Sequence, residues 1–203
     1  MPAKVLYFIF DPYKQDMRQL FEIDRHLFQL INSKWHNGFF DTVAPVIRNS
    51  ITWLPLYLFL LVFAIANFKK KAFWWIVLAA CVPILGDLVS SGFLKKTFWR
   101  VRPCNEPSLA DSMRFLLSYR PQSSSFPSSH AVNHFAMATF YFVTLKEYIG
   151  KWAWLFYGWA FIIIYSQVYV GVHYPVDVIC GAIIGFVLGY LPARSFNKQF
   201  GLQ

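Results

Sequence analysis

Acidic residues are scarce in this chain of 203: ten Asp and Glu stand against 19 Lys and Arg, and charge of either sign makes up only 14% of the sequence. Soluble domains carry about 25% charged residues, so the deficit argues against an ordinary water-soluble surface. Cysteine is nearly absent. The three present, Cys81, Cys104 and Cys180, are an odd number and give no disulfide framework. Cys81 and Cys180 lie in apolar runs and are expected to act as small buried hydrophobes. There is no internal repeat and no low-complexity tract. No nucleic-acid-binding motif accompanies the net charge of +9. The early run Val5–Phe10 is too short for the apolar core of a signal peptide, and none is expected.

Apolar side chains fill the space left by charge. The chain is 57% hydrophobic and 20% aromatic, the composition of a membrane protein. A bilayer-spanning helix needs about 20 apolar residues. Such segments fall at roughly Ile51–Phe68, Ala72–Leu94, Pro127–Tyr148, Trp152–Gly171 and Tyr174–Leu191. The expected fold is therefore an all-α integral membrane bundle of five or six transmembrane helices. Gln15–Asn32 precedes it and alternates apolar and charged residues at helical spacing, which suits an amphipathic helix at the membrane interface with Asp24 on its charged face, or else a soluble-type helix packed on the bundle. Two regions follow: an N-terminal interfacial region over residues 1–50 and a membrane-embedded domain over 51–203. A five-span arrangement puts Lys69–Lys71, Lys146, Lys151, Arg194 and Lys198 on one side, the cytoplasmic one by the positive-inside tendency. Three polar clusters then meet at the opposite face.

The first cluster is Lys95 to Pro103. Lys95 and Arg102 are seven apart, so a continuing helix would place both on one face, and Pro103 pushes Arg102 toward extended geometry. Arginine offers a fork to phosphate oxygens and lysine a point charge; a snorkelling basic cluster at a span end is the structural alternative. The second is Pro127-Ser128-Ser129-His130. Proline at a first helical position would leave the next N–H groups facing outward as an anion cradle, although a plain helix cap has the same residues. The third is His173 and Asp177, four apart across Tyr174-Pro175. A carboxylate on one imidazole nitrogen leaves the other free as a nucleophile, and His130 is placed to protonate a leaving oxygen.

Those three clusters resemble the signature of the type-2 phosphatidic acid phosphatase superfamily, which is related to vanadium haloperoxidases. The first element, K-x6-R-P, reads Lys95…Arg102-Pro103. The second, P-S-G-H, reads Pro127-Ser128-Ser129-His130, with serine for glycine. The third, S-R-x5-H-x3-D, reads Ser166-Gln167…His173…Asp177, with Gln167 in place of arginine. The resemblance implies a hydrolase of lipid phosphates that needs neither metal nor cofactor. His173 would form a phosphohistidine with help from Asp177, and His130 would protonate the leaving group. Lys95, Arg102, Ser128 and the backbone around Ser129 and His130 would hold the phosphate. It further implies membrane-lipid partners and a site on the extracytoplasmic face of the inner membrane. Its substrates would be undecaprenyl pyrophosphate, phosphatidylglycerol phosphate, phosphatidic acid or lipid A phosphates.

Gln167 lacks the charge of the residue it replaces, and Arg100 is the candidate to supply it. Three other readings stand beside this one. The chain would be a phosphotransferase, or a binder of lipid headgroups weakened by Gln167, or a metalloenzyme using His130, His134, His173 and Asp177. The nearby Lys95 and Arg102 argue against a bound cation. Oligomeric state is not legible from the residues.

Overall fold

The computed structural model describes residues 12–201; the Val5–Phe10 run lies outside them. Helix α1 spans Pro12–Gln29 and runs into a π-helical turn, Leu30–Lys34. Helix α2 spans Gly38–Ile47. A 3-10 turn, Ser50–Trp53, leads into α3, Leu54–Phe68. Helix α4 spans Lys70–Asp87 and continues through a π-helical stretch to Thr97. Helix α5 spans Ser129–Ile149, α6 spans Trp154–Tyr169 and α7 spans Pro175–Gln199.

Among the described residues, three helical stretches are long and apolar enough to cross a membrane on those grounds alone: Ser50–Phe68, Lys70–Thr97 and Pro175–Gln199. Their outer faces carry Phe59, Val62, Ile65, Phe73, Trp74, Ile84, Ile183 and Phe186, all exposed, as expected of surfaces that meet lipid rather than water. Cys81, expected to be buried, is exposed on α4. Helix α5 differs in kind. It carries His130, Asn133, His134, Thr139 and Thr144, and it is surrounded by other helices, with Ala131, Ala136, Met137, Phe140 and Leu145 all buried. Thr144 Oγ1 accepts from Trp75 Nε1 at 2.9 Å inside the bundle, whereas Asn133 Oδ1 and His134 Nε2 are buried without a hydrogen-bond partner among the described residues.

Helices α5 and α7 pack with their backbones in close approach. Gly181, Gly185 and Gly189 recur every fourth residue and form one stripe of α7. A Cβ on Gly181 would sit 2.8 Å from Ser128 O, and one on Gly185 would meet the Val132 carbonyl inside contact distance. Small residues in such a stripe let membrane helices approach at the backbone. This contact brings the N-termini of α5 and α7 together, and Ser128 N donates to Asp177 O at 3.1 Å.

Helix α1 is amphipathic in the opposite sense to the one expected for Asp24. Leu20, Phe21, Ile23 and Leu27 are exposed, whereas Asp24 and Phe28 are buried. The apolar stripe faces outward, and the carboxylate points into the protein. The π turn at the end of α1 places Asn32 in a buried clasp. Its Nδ2 donates to Arg114 O and Tyr169 O, both at 2.8 Å, and its Oδ1 accepts from Arg114 N at 2.7 Å. Helix α2 is held by Asp41, which accepts from Tyr169 Oη at 2.6 Å and pairs with Arg114.

Candidate active site

His173 lies in the short connection between α6 and α7 and is 2% exposed. The turn before it needs Gly171, whose φ of +91° favours glycine; a Cβ there would meet Arg114 O at 2.7 Å. Arg102 Nη1 lies 3.1 Å from His173 Nε2. A guanidinium only donates, so Nε2 is an acceptor and the ring proton sits on Nδ1. Nδ1 faces Ser125 Oγ at 3.4 Å and Asp177 Oδ2 at 3.6 Å, and Ser125 Oγ donates to Asp177 Oδ2 at 2.5 Å. At 3.6 Å the carboxylate is beyond good hydrogen-bonding distance of the imidazole, so the serine hydroxyl bridges the two. Burial lowers the His173 imidazole to about 4, with the Arg102 and Lys95 charges adding to the effect and Asp177 opposing it. Near neutral pH the ring is uncharged, with its lone pair on Nε2.

Asp177 is at the third position of α7 and forms a capping box with Tyr174, whose N–H it accepts at 2.9 Å. Its other oxygen accepts from Arg100 Nη1 at 2.7 Å. The second arm of Arg100 donates to Asp24 Oδ2 at 2.6 Å, and the guanidinium lies over the Tyr174 ring at 4.1 Å. Asp24 also accepts from Val176 N at 2.9 Å. Burial raises the Asp24 carboxyl above its usual value despite these donors. This geometry differs from the role expected of Arg100. Both arms are engaged by carboxylates, and the residue steadies Asp177 rather than standing in for the charge absent at Gln167.

Arg102 and Lys95 converge, but not along one helix. The helix stops at Thr97, Phe98 is extended (φ −113°, ψ 96°), and Arg102 is extended before Pro103 (φ −75°, ψ 151°). Arg102 is fixed by the carbonyls of Ser123, Ser124 and Val172 and by Ser123 Oγ, at 2.8–3.2 Å. Burial depresses its guanidinium below the usual value. Lys95 stands within electrostatic reach of Arg102, Asp87 and Asp177. The start of α5 also shifts by two positions from expectation. Ser128 is the cap and accepts from Ala131 N at 3.4 Å, Ser129 is the first helical residue, and Pro127 precedes both. The N–H groups of the first turn still have no intrahelical partner. The Ser129 hydroxyl pairs with Ser91 Oγ at 2.9 Å, and Ser91 donates to Asp87. His130 stacks on His134, whose Nδ1 lies 2.8 Å from His130 O. Among the described residues no cluster of His, Cys, Asp or Glu has the arrangement of a metal site.

Three contributors were not singled out from the residues alone. Ser125 lies in the serine run 123–125, which carries no motif of its own. Asp24 looked like one charge of an outward face. Arg48, the C-cap of α2, donates from Nε and Nη2 to Gln167 Oε1, each at 3.3 Å. No motif marks it, because its distance from Gln167 closes only in three dimensions.

Comparison with known proteins places this geometry among relatives. The model of the PAP2 superfamily matches residues 72–200. The lipid A 4'-phosphatase of Bacteroides thetaiotaomicron is 33% identical over 175 residues, 85% of this chain and 76% of that protein. The undecaprenyl-diphosphatase of Sulfolobus acidocaldarius is 30% identical over 172 residues, 83% of this chain and 76% of that protein. The crystal structure of Aquifex aeolicus LpxE superposes with a TM-score of 0.57 at 27% identity, covering 83% of this chain and 93% of that one. A PAP2-type phosphatidylglycerolphosphate phosphatase from Bacillus subtilis shares the fold, with a TM-score of 0.66 at 21% identity over 89% of this chain and 87% of that one.

Proposed function

The chain belongs to the PAP2 superfamily and is a membrane lipid phosphatase, and on that premise we propose that it removes phosphate from a lipid through a phosphohistidine on His173. The observation that carries this reading is the Arg102–His173 contact, which makes Nε2 the unprotonated nitrogen. In the first step the Nε2 lone pair forms a bond to phosphorus while the phosphorus–lipid oxygen bond breaks, and His130, protonated beside the bound phosphate dianion, gives that proton to the departing oxygen and becomes neutral. In the second, water attacks phosphorus, returns a proton to His130, and the N–P bond breaks to release phosphate. Nδ1–H stays hydrogen-bonded to Ser125, and Asp177 offsets the positive charge of the ring. Lys95, Arg102 and the first-turn N–H groups of α5 offset charge on the phosphoryl oxygens.

The substrate proposed is a lipid A-type glycolipid phosphomonoester, because the relative matched at 33% identity carries that activity in its name; an undecaprenyl diphosphate is the second choice. A mostly apolar cavity of about 460 Å³, lined by Tyr57, Leu60, Trp75, Met137 and Tyr141, reaches His134, one helical turn from His130. Its walls suit an acyl or isoprenyl chain. Lys71 bonds to Gly201 O at the end of the bundle away from the site. By the positive-inside tendency, the basic residues at that end favour a site on the extracytoplasmic face of an inner membrane.

The test is phosphate release by the detergent-purified protein from a lipid A phosphate, undecaprenyl diphosphate and phosphatidylglycerol phosphate, beside His173→Ala. Release that disappears in the variant, with an acid-labile, base-stable phosphoprotein trapped in the wild type, is expected. Release that survives in His173→Ala would overturn the mechanism. Transfer of the phosphoryl group to an added lipid would make the protein a phosphotransferase through the same intermediate.

A further inference from the structure

Arg48 is a partly buried cation with no carboxylate among its partners in the described residues. Asp41, the acid of its own helix, is occupied by Arg114 and Tyr169. Arg48 instead directs two N–H groups at the amide oxygen of Gln167, a neutral acceptor. Gln167 is itself 0% exposed, and its Nε2 has no hydrogen-bond partner among the described residues. A half-buried arginine whose partners are a neutral amide and the Tyr119 side chain, and a buried amide N–H without an acceptor, are both costly. A single anion beside them satisfies both. The site supplies its location. Arg48 stands within electrostatic reach of His130 and of Arg102. The backbone of Gln167 is tied to the nucleophile's loop, since Val172 N donates to Gln167 O at 3.2 Å.

We propose that Arg48 is the third cation of the phosphate site, aimed at the phosphoryl oxygens by Gln167, whose free amide N–H donates to the same phosphate. The pair performs from two helices, α2 and α6, what one arginine on α6 would do alone. The inference rests on the phosphatase reading above, and it assigns a phosphate contact to the N-terminal region, outside the residues 72–200 matched by the family model.

The experiment compares wild type, Arg48→Ala, Arg48→Lys, Gln167→Glu and the double variant Arg48→Ala/Gln167→Arg. It measures phosphate release from the preferred lipid, inhibition by orthovanadate (a mimic of five-coordinate phosphorus) and the shift of the melting temperature by orthovanadate. Arg48→Ala is expected to lose about a hundred-fold in kcat/KM and to weaken orthovanadate binding in parallel. Arg48→Lys retains part of the activity. Gln167→Glu, which gives Arg48 a carboxylate of its own, weakens orthovanadate binding. The double variant restores at least ten-fold of the loss, which a purely structural role for Arg48 would not allow. Activity of Arg48→Ala within three-fold of wild type would overturn the proposal. So would a double variant that elutes as folded protein and stays as inactive as Arg48→Ala. If wild type releases no phosphate from any lipid, the phosphatase reading fails by itself. The orthovanadate melting shift, present in wild type and absent in Arg48→Ala, still decides the role of Arg48.

Discussion

At Ser125 one hydroxyl lies 2.5 Å from Asp177 Oδ2 and 3.4 Å from His173 Nδ1, so the orientation of the imidazole depends on a residue that carries no charge. Ser125→Ala removes the bridge and leaves the carboxylate 3.6 Å away; kcat is expected to fall about ten-fold, the worth of one hydrogen bond of ordinary strength, with KM little changed in steady-state assays. The pH profile belongs to the same ring. Its folded value of about 4 is below the usual 6.5, so protonation is disfavoured in the native state. Activity should be intact at neutral pH and decline only as pH falls through about 4, whereas an ordinary histidine would fail near 6.5. The stability linked to this group has the same sign: present above 6.5, lost as pH drops through about 4. An acid limb of kcat/KM near 6.5 would contradict the burial of His173. For Arg100, shared between Asp24 and Asp177 in a buried ion triad, truncation leaves two carboxylates without their cation. Arg100→Ala is expected to destabilise the protein by about 3–5 kcal/mol, seen as a lower melting temperature in detergent. Orthovanadate affinity should fall far less than in Arg48→Ala, because Arg100 holds Asp177 and not the phosphate.

At the scale of elements, the α5–α7 contact sets the distance between His130 and the His173–Asp177 pair, since both helices begin at the site. Filling the glycine stripe separates them. Gly185→Val is expected to cost about 1–3 kcal/mol by overpacking and to reduce activity more than Gly158→Ala, a change at a glycine whose Cβ meets open space; thermal melts and turnover on the same preparations check both. The long helices were legible because apolar runs of about 20 residues have one stable form in lipid. Helix α5 was legible only as a length of chain. Its histidines, asparagine and threonines signal neither lipid nor water, and their place inside the bundle follows from what surrounds them. Helix α1 shows the limit of periodicity. The spacing of apolar and charged residues revealed an amphipathic helix, but not that Asp24 turns inward, because the cation that makes its burial tolerable, Arg100, is 76 residues away.

For the whole molecule, the proposed reaction centre draws on three cations, Lys95, Arg102 and Arg48, from the end of α4, the loop after it and α2. Such a field favours phosphate and repels divalent metal ions, so phosphate release should be unchanged by EDTA; loss of activity that zinc or magnesium restores would contradict this arrangement. Much of this was determined by sequence alone. Membrane residence follows from the apolar runs, and Lys95, Arg102, His130, His173 and Asp177 stand out as candidates because each cluster is local and carries its own chemistry. Tertiary structure decided the rest, and for one reason. Charges and hydrogen bonds are settled between partners, and the partners here are far apart in the chain. Arg48 meets Gln167 across 119 residues, Ser125 meets Asp177 across 52, and Arg100 meets Asp177 across 77. A guanidinium is the same side chain in all three arginines. Only the fold assigns one to His173, one to the carboxylates and one to the amide of Gln167.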